Sequence, residues 1–165
     1  GAAWRYRPQL GAEALNVEGL SGLRNASGGA VAWEEGELGD RLWYLPLLGD
    51  QEATPLLDAA ANRAIVSEPG GGALYVRDAD SAWRRLAVPP DGGEDVAFAA
   101  GVEQLFTVSA EQVLGLDAEG GLFTIDPRTG AARAWAFNVD VVQPSGRGSY
   151  VAYVCDRGLF LVDQR

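Results

Sequence analysis

Apolar residues along this chain come in short runs that alternate with polar or small ones, and each run is closed by glycine, proline, asparagine or aspartate. Tyr150-Val-Ala-Tyr-Val-Cys155, Gln104-Leu-Phe-Thr-Val108 and Gln112-Val-Leu-Gly-Leu116 are typical. Alternation with a period of two puts one set of side chains on each face of a pleated strand. Val, Leu, Phe, Tyr and Trp suit such a surface, so the pattern predicts an all-β protein built from hairpins. The turn signals are dense: Ser27-Gly28-Gly29, Pro69-Gly70-Gly71-Gly72, Glu119-Gly120-Gly121, Arg128-Thr129-Gly130 and Ser145-Gly146-Arg147-Gly148. Two stretches carry helix-start chemistry, Thr54-Pro55 ahead of Leu56–Ala61 and the capping-box spacing Ser109-Ala-Glu-Gln112. Both are too short to hold a helix alone, so turns or single helical turns are expected there.

One phrase recurs. Residues 120–130 read Gly-Gly-Leu-Phe-Thr-Ile-Asp-Pro-Arg-Thr-Gly, residues 72–81 read Gly-Ala-Leu-Tyr-Val-Arg-Asp-Ala-Asp-Ser, and residues 158–163 read Gly-Leu-Phe-Leu-Val-Asp. A looser copy is Arg41-Leu42-Trp43-Tyr44-Leu45. Self-similarity at this spacing marks a repeat architecture in which stacked units bury one another. The anchors Leu42, Leu74, Leu122 and Leu159 lie 32, 48 and 37 residues apart, which leaves room for about four units. The clearest unit runs from Glu94 to Phe137, and trimming its ambiguous start leaves about four strands in a meander. The last unit, Asp140 to Val162, lacks a final strand. Ala3-Trp4-Arg5-Tyr6-Arg7-Pro8 resembles the expected outer strands Ala82-Trp83-Arg84-Arg85-Leu86 and Ala134-Trp135-Ala136-Phe137. A strand over residues 3–8 would therefore serve to close the last unit and remove an open edge.

These units resemble blades of a β-propeller, in particular the quinoprotein-type and YVTN-type repeats, whose phrase is close to Gly-x-Leu-Tyr-x-Ile-Asp-x-x-Thr-Gly. Gly121–Gly130 matches it almost fully and Ala73–Ser81 in part. The resemblance implies one domain over residues 1–165, a small propeller of about four blades or part of a larger one. A two-sheet β-sandwich is the alternative, because short alternating strands suit both. It implies Asp126-Pro-Arg-Thr-Gly130 as the tight turn between third and fourth strands.

Charge narrows the partners. The chain carries 23 acidic residues against 13 basic ones, all arginine, for a net charge of −10. That argues against nucleic acid, whose binding depends on a basic surface, and against an anionic membrane surface. No apolar stretch approaches the length needed to span a bilayer, so membrane insertion is not expected. The opening Gly1-Ala2-Ala3, with no Met in the chain, reads as a processed or added start and leaves a secreted or surface setting open.

Catalytic chemistry is poorly provided for. Without His or Lys there is no Ser-His-Asp set, no Cys-His pair and no Schiff-base lysine, and zinc sites of His and Cys fail by count. The carboxylate pairs Asp78/Asp80, Glu34/Glu35 and Glu94/Asp95 leave glycoside hydrolysis formally open, but no enzyme activity is expected. No cofactor is expected either. Calcium is the best metal candidate because only oxygen ligands are plentiful, at Asp78-Ala-Asp80-Ser81 or Asp91-Gly-Gly-Glu94-Asp95, although neither loop has EF-hand spacing and acidic turns are ordinarily just solvated. Cys155, the only cysteine, reads as a small core residue. Asn25-Ala26-Ser27 fits a glycosylation sequon.

Of the five tryptophans, Trp33 and Trp43 sit in apolar strands and are expected to fill gaps between blades. Trp83 and Trp135 lie on expected outer strands, where an exposed indole could contact a ligand or partner. The reading is a non-enzymatic protein–protein interaction or scaffold module. Its alternatives are a carbohydrate-binding or adhesive module and a fragment of a larger propeller enzyme.

Overall fold

The computed structural model describes residues 4–7, 11–15, 17–37, 40–47, 52–78, 82–90, 96–97, 101–145 and 150–163. Every regular element among them is a strand. β1 (Trp4–Arg7) and β2 (Gly11–Ala14) form a hairpin. β3 (Leu20–Ala26), β4 (Gly29–Glu34) and β5 (Asp40–Pro46) run as an antiparallel meander onto the 14-residue strand β6 (Thr54–Ser67). β7 (Ala73–Asp78), β8 (Trp83–Ala87) and β9 (Val96–Ala97) extend the same sheet. β10 (Val102–Ser109), β11 (Gln112–Asp117), β12 (Leu122–Ile125) and β13 (Ala132–Ala136) make the next sheet, and β14 (Val139–Pro144), β15 (Tyr150–Cys155) and β16 (Gly158–Asp163) the last.

The seven-stranded sheet is two meanders that share one strand. β6 pairs through its first part with β5, Tyr44 opposite Thr54 and Leu42 opposite Leu57. Its second part pairs with β7, Ile65 opposite Val76 and Ser67 opposite Leu74, after a register break between Ala60 and Ile65. The turn expected at Thr54–Ala61 is therefore corrected: that stretch is strand. The free edge of β5 offers it a ladder of partners, which a one-turn helix would have to forgo. Ser109–Gln112 is a hairpin turn, with Ser109 Oγ accepting from the Glu111 amide at 3.2 Å. The meander expected from Glu94 to Phe137 is found as β10–β13, while Val96 and Ala97 belong to the preceding sheet as β9.

Alternation assigns the core. On β4 and β5, Val31, Leu42 and Tyr44 face the second meander, where they meet Ile65, Leu74, Val76 and Leu86. Tyr75 and Trp83 point the other way and pack on Val102, Leu105, Val113 and Ile125 of the third. From its far side the third meander contributes Leu114, Leu116 and Leu122 against Val139, Val142 and Val151 of the last. The outer face of the first meander is covered by Leu15 and Val17, on Ala32 and Leu45. Sheets thus bury one another in chain order.

Conserving close approach takes small residues. Gly22 lies under the Trp33 indole so closely that a Cβ there would enter the ring. Gly130, at φ 71°, completes the Asp126–Gly130 turn in the left-handed region. In that turn Asp126 Oδ1 accepts from the Arg128 amide at 2.7 Å and the Thr129 amide at 3.3 Å, and Asp126 itself takes a backbone bond from Gly130 at 2.8 Å. The expected tight turn is present. Those amide donors, the Arg128 amide above all, hold the Asp126 carboxyl below its usual range.

The strand expected over residues 3–8 exists as β1, and its ladder partner is β2, with Trp4 opposite Ala14 and Arg7 opposite Gly11. The last sheet has three strands among the described residues.

The shared phrase supplies an internal control. Leu122 is 0% exposed and Leu159, at the equivalent place, is 73% exposed. Leu122→Ala is expected to cost about 2–5 kcal/mol through lost burial and a cavity. Leu159→Ala in dilute solution should stay within about 0.5 kcal/mol. Urea unfolding of the two variants checks both.

Candidate functional site

Trp83 and Trp135 part company. Trp83 was expected on an outer strand, but β9 pairs outside β8, so Trp83 is the third strand's residue and is only 3% exposed. Its indole N–H donates to the Val102 carbonyl at 2.9 Å, tying the second meander to the third. This corrects the expectation of an exposed ring, because an indole packed between two sheets offers no face to a ligand. Trp135 is on β13, the outermost strand of its sheet, and is partly buried against Leu116, Leu122 and their neighbours. Trp33 and Trp43 are half-buried in the first meander, as gap-filling residues should be, with their indole nitrogens buried.

Around Trp135 the structure assembles a cleft of about 290 Å³. Trp135 meets Tyr153 of β15 at 5.7 Å between ring centroids, tilted by 57°. Tyr153 in turn stacks on Phe160 of β16 at 5.1 Å, with planes 13° apart. The row arises because Tyr153 and Phe160 are directly opposite in the β15–β16 ladder, where aromatic cross-strand pairs stabilise the sheet. Phe137 stands at the mouth, 67% exposed. Asn138, in the left-handed region at φ 55°, turns the chain from β13 into β14 and donates through Nδ2 to Asp156 Oδ2 at 3.2 Å. Arg157 completes the polar rim, and Cys155 lines the wall as a free, partly buried thiol rather than a fully buried core residue. Neither Tyr153, Phe160 nor Phe137 was singled out from sequence; the Leu-Phe and Ala-Tyr strands each show aromatics, but only pairing register makes a row of them.

The acidic positions are engaged locally. Asp78, 7% exposed, accepts from the Ala82 amide at 2.9 Å and from Arg84 Nε at 2.8 Å. Asp117 accepts from the Glu119 and Gly121 amides at 2.9 and 2.6 Å. Glu34 lies 3.8 Å from Arg41. Asp80, Ser81 and residues 91–95, the rest of the two acidic loops, lie outside the described residues. Among the described residues there is no group of three or more Asp, Glu, Cys or His placed to hold a metal, and no helix long and apolar enough to cross a membrane.

A second polar cluster is buried. Tyr75 Oη donates to Glu68 Oε1 at 3.4 Å, and Arg85 Nη2 donates to the same oxygen at 3.1 Å. Burial first, then the Glu68 charge, pushes the Tyr75 hydroxyl up to about 12, against the pull of Arg85. The trio is closed within the second meander and its junction to the third, so it reads as a structural brace.

No protein-family model matches the chain, and no curated protein matches it in sequence. Solved structures do. The N-terminal domain of Nup159 superposes with a TM-score of 0.58 at 19% identity, over 89% of this chain and 41% of that one. The β-propeller domain of Cps50 (Swd1) from Myceliophteria thermophila gives 0.54 at 11% identity, over 91% of this chain and 53% of that one. The fold is that of a β-propeller. Among the described residues its blades are the meanders β3–β6, β6–β9, β10–β13 and β14–β16, and the chain spans about half the length of the propellers it matches. The aromatic cleft lies at the junction of the third and fourth blades.

The brace sets a pH dependence. A hydroxyl whose folded value is about 12 against an ordinary 10 stabilises the fold only while protonated. Its contribution is complete below pH 10 and disappears as pH rises through about 12. Tyr75→Phe should therefore remove about 3 kcal/mol from the alkaline loss of stability, read from urea midpoints across that window.

Proposed function

We propose that this chain is a non-enzymatic protein-interaction module, a propeller scaffold that takes an apolar anchor of a protein partner into the cleft of Trp135, Phe137, Tyr153 and Phe160. The observation that carries the reading is Phe137, a large ring left 67% exposed at the mouth of an aromatic row. Tyr153 and Phe160 behind it are held by sheet pairing and lose little entropy on binding, and aromatic rings dominate interface energetics. Asn138, Asp156 and Arg157 supply a polar rim around that apolar floor, the usual arrangement of an interface with a dry centre. Likeness of fold to the propellers of Nup159 and Swd1 agrees with such a scaffold, as an argument by analogy.

A second reading rests on the same cleft. Rings flanked by Asn138, Asp156 and Arg157 also suit a sugar, stacked on an aromatic face with hydroxyls bonded at the rim.

Selection of displayed peptides on the folded chain, with counter-selection on Phe137→Ala, separates the two. The expected outcome is enrichment of peptides with an aromatic or branched aliphatic anchor, bound at least about tenfold more weakly by Phe137→Ala and Trp135→Ala. A glycan array run with and without calcium is expected to stay blank. Sugar binding abolished by Trp135→Ala, with no peptide enriched, would replace the protein partner by a carbohydrate.

A further inference from the structure

The polar rim of the aromatic cleft consists of Asn138, Asp156 and Arg157. Two of these answer each other, since Asn138 Nδ2 donates to Asp156 Oδ2 at 3.2 Å. Arg157 stands apart from that pair. It is exposed, and it makes no hydrogen bond and no ion pair among the described residues, not even with Asp156 beside it. The arginines of the first two blades are used differently. Arg41 lies 3.2 Å from Asp58, Arg84 lies 2.8 Å from Asp78 and Arg85 lies 3.1 Å from Glu68, while Arg24 donates to the Ile65 carbonyl at 2.6 Å.

Its place at the cleft is set by the ladder. Asp156 and Arg157 form the two-residue turn between β15 and β16, with Cys155 opposite Gly158 at its base. The same pairing puts Tyr153 opposite Phe160 and stacks their rings. One hairpin therefore holds both the apolar floor and the cation at its edge. A guanidinium is a planar fork that meets a carboxylate through two parallel hydrogen bonds, and no carboxylate of the described residues fills that role for Arg157.

Resting on the reading of the cleft as a protein-binding site, we infer that the partner's apolar anchor is flanked by an Asp or Glu, whose carboxylate Arg157 receives. Charge decides between this and a basic flank. With a net charge of −10 the molecule attracts basic segments over much of its surface, which selects no particular place. An acidic segment is repelled by most of that surface and is admitted where a guanidinium stands unneutralised beside an apolar floor. Repulsion elsewhere combined with local attraction gives specificity and register, while the rings supply the bulk of the binding energy.

Selection from displayed peptides with a fixed central tryptophan and randomised neighbours tests this, at about 0.15 M salt, where the field of distant charges decays over about 8 Å. The chain is expected to enrich Asp or Glu beside the tryptophan. Arg128→Gln, on the exposed turn at the other end of β13, should enrich the same peptides. Arg157→Gln should show no such preference, and Arg157→Glu should favour Lys or Arg instead. In the best peptide, exchanging the acid for Gln should weaken binding about threefold to fivefold on the chain, the scale of a solvent-exposed ion pair, and leave it unchanged on Arg157→Gln. Urea unfolding checks that these variants, all on exposed turns, stay folded. Peptides that depend on Phe137 but carry no acid, carry a basic flank, or keep their acid preference on Arg157→Gln overturn the inference and leave the cleft as a peptide site. Peptides indifferent to Phe137→Ala, or none enriched at all, overturn both.

Discussion

A β-meander of three or four strands has two apolar faces and no means of burying both by itself. That constraint organises this molecule. Val31, Leu42 and Tyr44 need the second blade; Tyr75 and Trp83 need the third; Leu114, Leu116 and Leu122 need the fourth. Each inter-blade contact removes several aliphatic or aromatic side chains from water, at roughly 1.5–3 kcal/mol for each one fully buried. Hydrogen bonds across the junctions are few beside this. Trp83 to the Val102 carbonyl, Thr107 to the Ser67 carbonyl and Arg24 to the Ile65 carbonyl fix the angle at which blades meet rather than drive their meeting.

Acidic residues divide their work in a way that explains why so many of them make no conspicuous site. Asp78, Asp117 and Asp126 close the strand phrases by accepting amides of the following turn, a task that suits a short carboxylate next to its own backbone. Their charge is spent on local amides and, for Asp78, on Arg84. What remains at the surface contributes to the net charge of −10. Among the described residues, apolar strand faces also lie open in the C-terminal half, at the aromatic cleft and on the exposed face of the fourth blade, on opposite sides of one sheet.

Strand content, the meander from Gln104 to Phe137 and the turn at Asp126–Gly130 were all legible from residue order, because a period of two and turn chemistry are local signals. Trp135 was legible as a residue of the last strand of its sheet for the same reason. Trp83 was not. Its fate depends on β9, two residues long, pairing outside β8 and on the third blade arriving over its ring. Thr54–Ala61 was misread because its proline and alanines speak for a helix start locally, while the open edge of β5 decided for strand.

What the sequence determined by itself is the unit: short alternating strands, Gly and Asp at their ends, and a repeated Leu-aromatic phrase that requires a neighbour on each face. Tertiary structure alone decided which copies of the phrase obtain that neighbour. Leu74 and Leu122 are buried and Leu159 is bare, though the three stand in nearly the same words. Tyr153 and Phe160 form a row with Trp135 only through ladder register and the meeting of two sheets. Alternation is written residue by residue, whereas burial depends on what another part of the chain, or another molecule, lays across the face.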